Sequence, residues 1–335
     1  MTRRAWWAFG FMSVVWGASY LLIKVAIDGG MPAPAVAWVR VALAAVVLVA
    51  PAWRSGALRG LRGRWRWIWA YAVAEISIPF PLIAAGEVHV ASSLAAIIIA
   101  AVPLLVTVLS LRFDPSERPT RRRALGLVIG FAGVVALVGI DIAGSGAELL
   151  GAGAILIGAV GYAIGPMVVK LGMSGLDTRA VMGASLLVAT LLLAPFAAAD
   201  LPARAPTVGA WAAVVALGLL CTAIAFVVYT VLIREAGPGR ATVITYINPL
   251  VALALGTTLL GERPGAGAVA GLVLILIGSW LSTGGARLPA LGRRQAARTP
   301  QPAPGSSAPE QKPSGGPEVL NSVSANGPIA GMKKR

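Results

Sequence analysis

Three ionisable side chains fall inside long apolar runs of this chain: Lys24, Arg40 and Glu75. A charge near the centre of a membrane-spanning helix costs at least ~2.5 kcal/mol, so each needs a partner, water or an escape to the interface. At 1.5 Å of rise per residue, Glu75 lies about 12 Å, Arg40 about 10 Å and Lys24 about 5 Å from the nearer end of its run. That depth makes Glu75 the candidate for a proton or cation site, with a structural ion pair as the alternative. Arg40 either pairs with Glu75 or with helix carbonyls, or it contacts an anionic group. Lys24 is close enough to an end for its ammonium to reach the interface.

Polar and aromatic side chains surround these three. Ser13, Trp16, Tyr20 and Lys24 follow a three- and four-residue spacing, which places them on one helical face. Thr242, Thr245 and Asn248 are three apart, and the matching positions of an earlier run are Ala96, Ile99 and Val102. A polar stripe present in one run only suits a substrate better than a fold constraint, although Asn248 can equally bond a neighbouring helix. Trp16, Tyr20, Arg40, Glu75, Thr245 and Asn248 are therefore the substrate-pocket candidates, Glu75 the coupling candidate, and Tyr71, Tyr162 and Tyr229 further wall residues. Nothing here resembles a catalytic set. The one histidine, His89, falls in a short connection, the one cysteine, Cys221, in an apolar run, and no phosphate loop, nucleophile elbow or metal-ligand pair is found. No cofactor and no metal are expected.

The elements that must position these residues are membrane helices. Hydrophobic residues make up 57% of the chain and charged residues 12%, where a soluble domain has about 25% charged. Apolar runs cover approximately residues 6–27, 33–52, 67–86, 91–111, 122–140, 149–169, 178–198, 208–232, 240–260 and 266–283, each about the 20 residues needed to cross a bilayer. Lys and Arg gather in alternate connections, from Arg54 to Arg66, Arg112 to Arg123, Lys170 to Arg179 and Arg234 to Arg240; the others hold only Arg204 and Arg263. This asymmetry places both termini in the cytoplasm of a cell-membrane protein. It also explains the net charge of +15 without nucleic acid. Trp6, Trp7, Trp53, Trp65, Trp67 and Trp280 fall at the cytoplasmic boundaries, where an indole anchors the interface.

The chain also says nearly the same thing twice. Glu117-Arg118-Pro119 leads to Gly126 and Gly133, and Glu262-Arg263-Pro264 leads to Gly271 and Gly278, 145 residues later. Five runs separate the two glutamates, so the copies face opposite sides of the membrane. The expected fold is an all-α polytopic membrane protein, ten transmembrane helices arranged as two inverted-topology five-helix repeats. Inverted repeats are the architecture of alternating access, with substrate bound between the halves.

The order of these features resembles the EamA-type permeases of the drug/metabolite transporter superfamily. The resemblance rests on Trp16-Gly17-Ala18-Ser19-Tyr20, on Arg40, and on Pro103 leading to Glu117-Arg118-Pro119 as Pro249 leads to Glu262-Arg263-Pro264. It covers residues 6 to 284; Gly161-Tyr162-Ala163 replaces the tryptophan motif in the second unit. The resemblance implies a secondary carrier, an exporter or exchanger of small metabolites, amino acids or drugs. A channel-like facilitator or a non-transporting membrane scaffold is the alternative.

The expected units are 1–140, 141–284 and a basic Pro/Ser/Gly-rich cytoplasmic tail, 285–335, too polar to build a core. Pro103 and Pro249 should kink their helices. Gly126 and Gly271 lie in small-residue spacings that serve either packing of the fifth helix on the tenth or a homodimer; monomer and homodimer both remain open. Glu117 and Glu262 read as structural anchors, each expected to favour the positive end of its own following helix and to meet a nearby arginine. The partners are a small-molecule substrate and the lipid bilayer.

Overall fold

The computed structural model describes residues 2–113, 120–142, 145–237, 241 and 243–283. Glu117, Arg118, Thr242 and the 285–335 tail lie outside the described residues. Within them every regular element is helical, the form in which an apolar chain satisfies its own backbone in lipid. Eight helices are long and apolar enough to span a membrane: α1 (Arg3–Asp28), α2 (Ala33–Arg54), α3 (Trp65–Glu87), α4 (Ser92–Ser110), α5 (Arg121–Asp141), α6 (Gly146–Gly172), α7 (Thr178–Ala199) and α8 (Val208–Ala236). Two shorter apolar helices follow, α9 (Ile244–Leu259) and α10 (Ala266–Ser282). Thr2, Thr120, Ser145, Asp177 and Thr207 accept backbone N–H bonds at the starts of α1, α5, α6, α7 and α8, so polar side chains within the preceding turn cap half of the helix starts.

Packing between the halves is reciprocal. α1 packs against α8 and α9, and α6 against α3 and α4; α2 lies along α7, α4 meets α9, and α5 lies along α10. Exchanging α1–α5 for α6–α10 returns the same set of contacts. The α5–α10 seam is made by glycine. A Cβ on Gly278 would stand 2.6 Å from the Gly126 carbonyl, one on Gly126 2.5 Å from Ser282 N, and one on Gly133 2.9 Å from the Gly271 carbonyl. The pairing of 126 with 282 and of 133 with 271 makes the two helices antiparallel. α2 and α7 are antiparallel as well: Trp38 Nε1 donates to the Thr190 carbonyl at 3.1 Å, while Gly183 abuts Leu48 and Val49.

Three helices depart from α geometry. α3 contains a π-helical turn, Ala72–Ser77, immediately before Pro79 and Pro81. Neither proline has an N–H to offer the preceding turn, and the ladder shifts to Ile78 N donating to Val73 O at 3.0 Å. α8 has its own π-turn, Leu219–Ile224, without a proline; there the Thr222 hydroxyl donates to the Leu217 carbonyl, five residues back, at 2.9 Å. α5 ends in a third, Val138–Ile142. The two prolines expected to kink their helices behave differently. α4 breaks at Ala100–Ala101 and resumes at Val102, so Pro103 starts a helical segment, whereas α9 runs unbroken through Pro249.

The outer surface of the bundle is aliphatic, with Val46, Val128, Val135 and Leu191 at least 64% exposed, as a lipid-facing surface requires. Trp6, Trp7, Trp53, Trp65 and Trp280 are exposed too, and Arg122 stacks over Trp280 at 4.9 Å. The glycine seam sets the first test. Gly278→Ala forces backbone apart and is expected to cost about 1–3 kcal/mol, read as a lowered Tm of the purified protein. Gly153→Ala, whose Cβ meets open space, should leave Tm unchanged or slightly raised. Equal Tm values for the two variants would show that the seam does not hold the halves.

Candidate functional site

Arg40 is the residue around which a site can be built. It enters from α2 and is 8% exposed. Its Nε donates to Thr222 Oγ1 on the α8 π-turn at 2.9 Å, and its guanidinium carbon lies 4.2 Å from the centre of the Phe80 ring. Thr222 can accept because its own proton is directed to Leu217. The terminal guanidinium nitrogens make no hydrogen bond among the described residues. They face a small, partly open cavity lined by Ser19, Tyr20 and Ile23 of α1, Arg40, Phe80 and Ile83 of α3, and Tyr162 of α6. Four helices from both halves therefore meet at one cation, two phenols and a ring. A guanidinium with free terminal donors suits a carboxylate or another planar anion.

Glu75 lies in the α3 π-turn. Its Oε2 is buried with no hydrogen-bond partner and packs directly on Gly165 of α6, a position where any side chain would displace it. Tyr71, Tyr162 and Tyr229 are within electrostatic reach. Among the described residues Glu75 and Arg40 form no ion pair; the expected pairing is replaced by the Thr222 and Phe80 contacts, because the π-turn turns Glu75 toward α6. Trp16 sits beyond the tyrosines. Its Nε1 donates to the Cys221 carbonyl at 3.2 Å, Cys221 Sγ donates back to the Val15 carbonyl at 3.3 Å, and its ring tilts against Tyr229 at 5.1 Å. Tyr162, which lines the Arg40 cavity and lies within electrostatic reach of Glu75, connects the two surroundings, while Tyr229 joins Glu75 to Trp16.

Asn248 is held by backbone. Asn248, with its amide turned to satisfy donors and acceptors, donates to the Ser13 carbonyl on α1 at 3.3 Å and to the Ile244 carbonyl at 2.9 Å. Gly17 permits this approach, since a Cβ there would lie 2.9 Å from the Asn248 carbonyl. Asn248 and Thr245 do not line the Arg40 cavity. Another recess, between α2, α7 and α8, is lined by Arg179, Arg234, Thr178 and Thr230 among apolar side chains.

Near the α1–α2 connection the structure reveals a group that span counting missed. Glu87, the last residue of α3, is 0% exposed, and neither of its carboxylate oxygens has a partner. Lys24 approaches it but donates to its main-chain carbonyl at 3.0 Å and pairs with Asp28 at 3.5 Å, so its ammonium is held and not free at the interface. Glu262 also departs from expectation. It does not serve its own helix or Arg263. Its Oε1 accepts from Ser92 N and Ser92 Oγ, both at 2.8 Å, and its Oε2 from Ser93 N at 3.0 Å, which makes it the cap of α4. The reason is geometric: the turn at Gly261, with φ of 66°, carries the carboxylate across to three donors that α4 cannot satisfy internally. Asp141 does the same for α10, accepting from Gly267 N at 3.1 Å and Ala268 N at 2.5 Å.

The model of the EamA-like transporter family matches residues 5–139 and again residues 149–284. The chain belongs to that family. YedA of Escherichia coli (strain K12), named as an uncharacterized inner membrane transporter, is 29% identical over 261 residues, covering 74% of this chain and 80% of that protein. A probable terminal-alkyne amino-acid exporter of Streptantibioticus cattleyicolor is 29% identical over 305 residues, covering 89% of this chain and 98% of that protein. A solved crystal structure aligns with a TM-score of 0.61 at 22% identity over 83% of this chain and 97% of its own, which shows a shared fold. This EamA-family chain is thus a membrane transporter, embedded in the bilayer and acting on small molecules.

The inter-repeat cap has a pH signature. Burial pushes the Glu262 carboxyl up, but the hydrogen bonds from Ser93 and Ser92 outweigh it and hold the group below the usual carboxylate range. A depressed acid contributes stability that is present above its unfolded pKa and lost as pH falls through its folded one. Glu262→Ala is expected to destabilise the protein at neutral pH by about 0.5–2 kcal/mol, the worth of a helix cap. The gap from the unsubstituted chain should close on acidification, and a gap in Tm constant with pH would show that the carboxylate charge plays no part.

Proposed function

We propose that this EamA-family transporter is a secondary active exporter or exchanger that binds small carboxylate-bearing metabolites, amino acids among them, at Arg40, and moves them by alternating access. One observation carries the reading: a permanent cation with unused terminal donors at the wall of a cavity shared by both halves. The Phe80 ring and Thr222 hold the guanidinium without neutralising it, so a substrate anion supplies the missing charge. Tyr20, Tyr162 and Ser19 offer hydroxyls to the rest of a small polar ligand. The export direction takes support from the relative named as an amino-acid exporter.

The mechanism is rocking of two inverted five-helix repeats about that cavity. Antiparallel packing of α5 on α10 and of α2 on α7, together with the reciprocal pairing of the remaining helices, supports such an arrangement, and the basic connections favour cytoplasmic termini. Glu75 is the coupling group. A carboxyl on a π-turn, buried against Gly165 and linked through Tyr162 to the substrate cavity, can exchange a proton as the halves move.

Counterflow in liposomes of purified protein, loaded with an amino-acid mixture, tests both parts. Arg40→Gln should weaken substrate binding about 10- to 100-fold, the worth of hydrogen bonds to a charged group at 1.5–3 kcal/mol. Glu75→Gln should keep counterflow while losing uptake driven by a pH gradient. Undiminished affinity in the first variant removes Arg40 from the substrate site; intact gradient-driven uptake in the second removes Glu75 from coupling.

A further inference from the structure

A second buried carboxyl remains unexplained by this mechanism. Glu87 is wholly enclosed: a Cβ added to the preceding Gly86 would stand 2.7 Å from the Gly151 carbonyl, so α6 closes over the end of α3 there. Both carboxylate oxygens lack any donor, although a cation lies alongside. Lys24 is tied instead to the main-chain carbonyl of Glu87 at 3.0 Å and to Asp28 at 3.5 Å, with side-chain exposures of 22% for Lys24 and 57% for Asp28. One ammonium therefore stands between an enclosed carboxyl and a solvated one, and it is paired with the solvated one. An enclosed carboxylate beside an ammonium draws it in; a carboxyl that carries a proton does not. The other charged and titratable groups facing Glu87 are Tyr20 of α1, Arg40 of α2 and Glu262 of the α9–α10 connection. On α6, Glu148 lies one turn before Gly151, and His89 follows two residues after Glu87 in an exposed position.

We infer that Glu87 is a proton-binding site distinct from Glu75, protonated in the conformation described, and that release of its proton transfers Lys24 from Asp28 to the Glu87 carboxylate. The exchange is balanced: the Glu87 O–H bond breaks, the proton passes to water as the site opens, and the Lys24 ammonium, charged throughout, replaces it as the partner of the carboxylate. Ile83 lies one turn before Glu87 on α3, and Ile23 adjoins Lys24 on α1; both line the Arg40 cavity. Movement of Lys24 toward Glu87 draws α1 and α3 together at the α1–α2 end, directly over that cavity. Proton occupancy at Glu87 thus governs closure at this end, whichever substrate Arg40 holds.

Infrared spectroscopy of the full chain in lipid nanodiscs reads the protonated-carboxyl C=O stretch without any substrate, so its outcome is independent of the transport assays. Wild-type protein at neutral pH should show a carboxyl band that shifts in deuterium oxide, is lost in Glu87→Gln and survives in Glu75→Gln. Lys24→Met should keep the band to higher pH, because the ammonium that replaces the proton is gone. Should Glu87→Gln fail to yield monodisperse protein, Glu87→Asp serves, with a shifted band in place of a lost one. A spectrum unchanged by the substitution at 87, or a band that follows Glu75 alone, overturns the assignment.

Discussion

Arg40 carries a permanent charge into an apolar bundle, and several features of the surrounding helices answer to it. A guanidinium cannot shed its charge, so the fold must supply acceptors or a polarisable surface wherever the side chain goes. It supplies few: one hydroxyl and one aromatic face. The hydroxyl is available because α8 widens into a π-turn, letting Thr222 donate five residues back and receive Arg40 Nε. A regular α-helix at that place would direct Thr222 elsewhere. The departure from ideal helix geometry in α8 is therefore part of the cation's coordination, as π-bulges at functional sites often are.

The same widening occurs in α3, the helix that corresponds to α8 in the other half, but for a different reason and with a different occupant. Two prolines withhold their N–H groups from the preceding turn, and the fourth residue of the π-turn is Glu75, where α8 has Thr222. Structural equivalence with chemical difference is what a carrier needs at its centre. The seam helices α5 and α10, by contrast, preserve matching glycines because backbone must meet backbone along both. Repetition marks the frame, and divergence marks the proposed site.

Much of the frame was legible from letters alone, because hydropathy and basic-residue spacing report directly on solvent. The existence of the repeat and the apolar runs follow from composition and period, while the small-residue spacings left packing of the fifth helix on the tenth and a homodimer both open. The partners of individual polar groups were not legible. Glu262 was expected to serve its own helix, yet it caps α4, since a sequence does not reveal which helix end lies across from a turn. Asn248 has the spacing of a pocket residue and bonds backbone instead. Glu87 falls one residue beyond the apolar run 67–86, but Gly86 and Gly151 let α6 cover it completely. A glycine beside a charged residue at the end of an apolar run was the available signal, and its meaning depended on a helix some sixty residues away.

The unpartnered carboxyls bear on how such a protein can move at all. A bundle in which every buried polar group is satisfied is rigid, because any displacement breaks hydrogen bonds in a medium that offers no replacement. Here the capping carboxylates Glu262 and Asp141 are fully engaged and tie one half to the other at helix ends. Glu75 and Glu87, nearer the cavity, hold no partner in this conformation. The first pair restrains the halves, while the second leaves groups whose partners are available only in a different arrangement. On the proposed mechanism, conformational change is concentrated where α3 faces α1 and α6, between ends that are held.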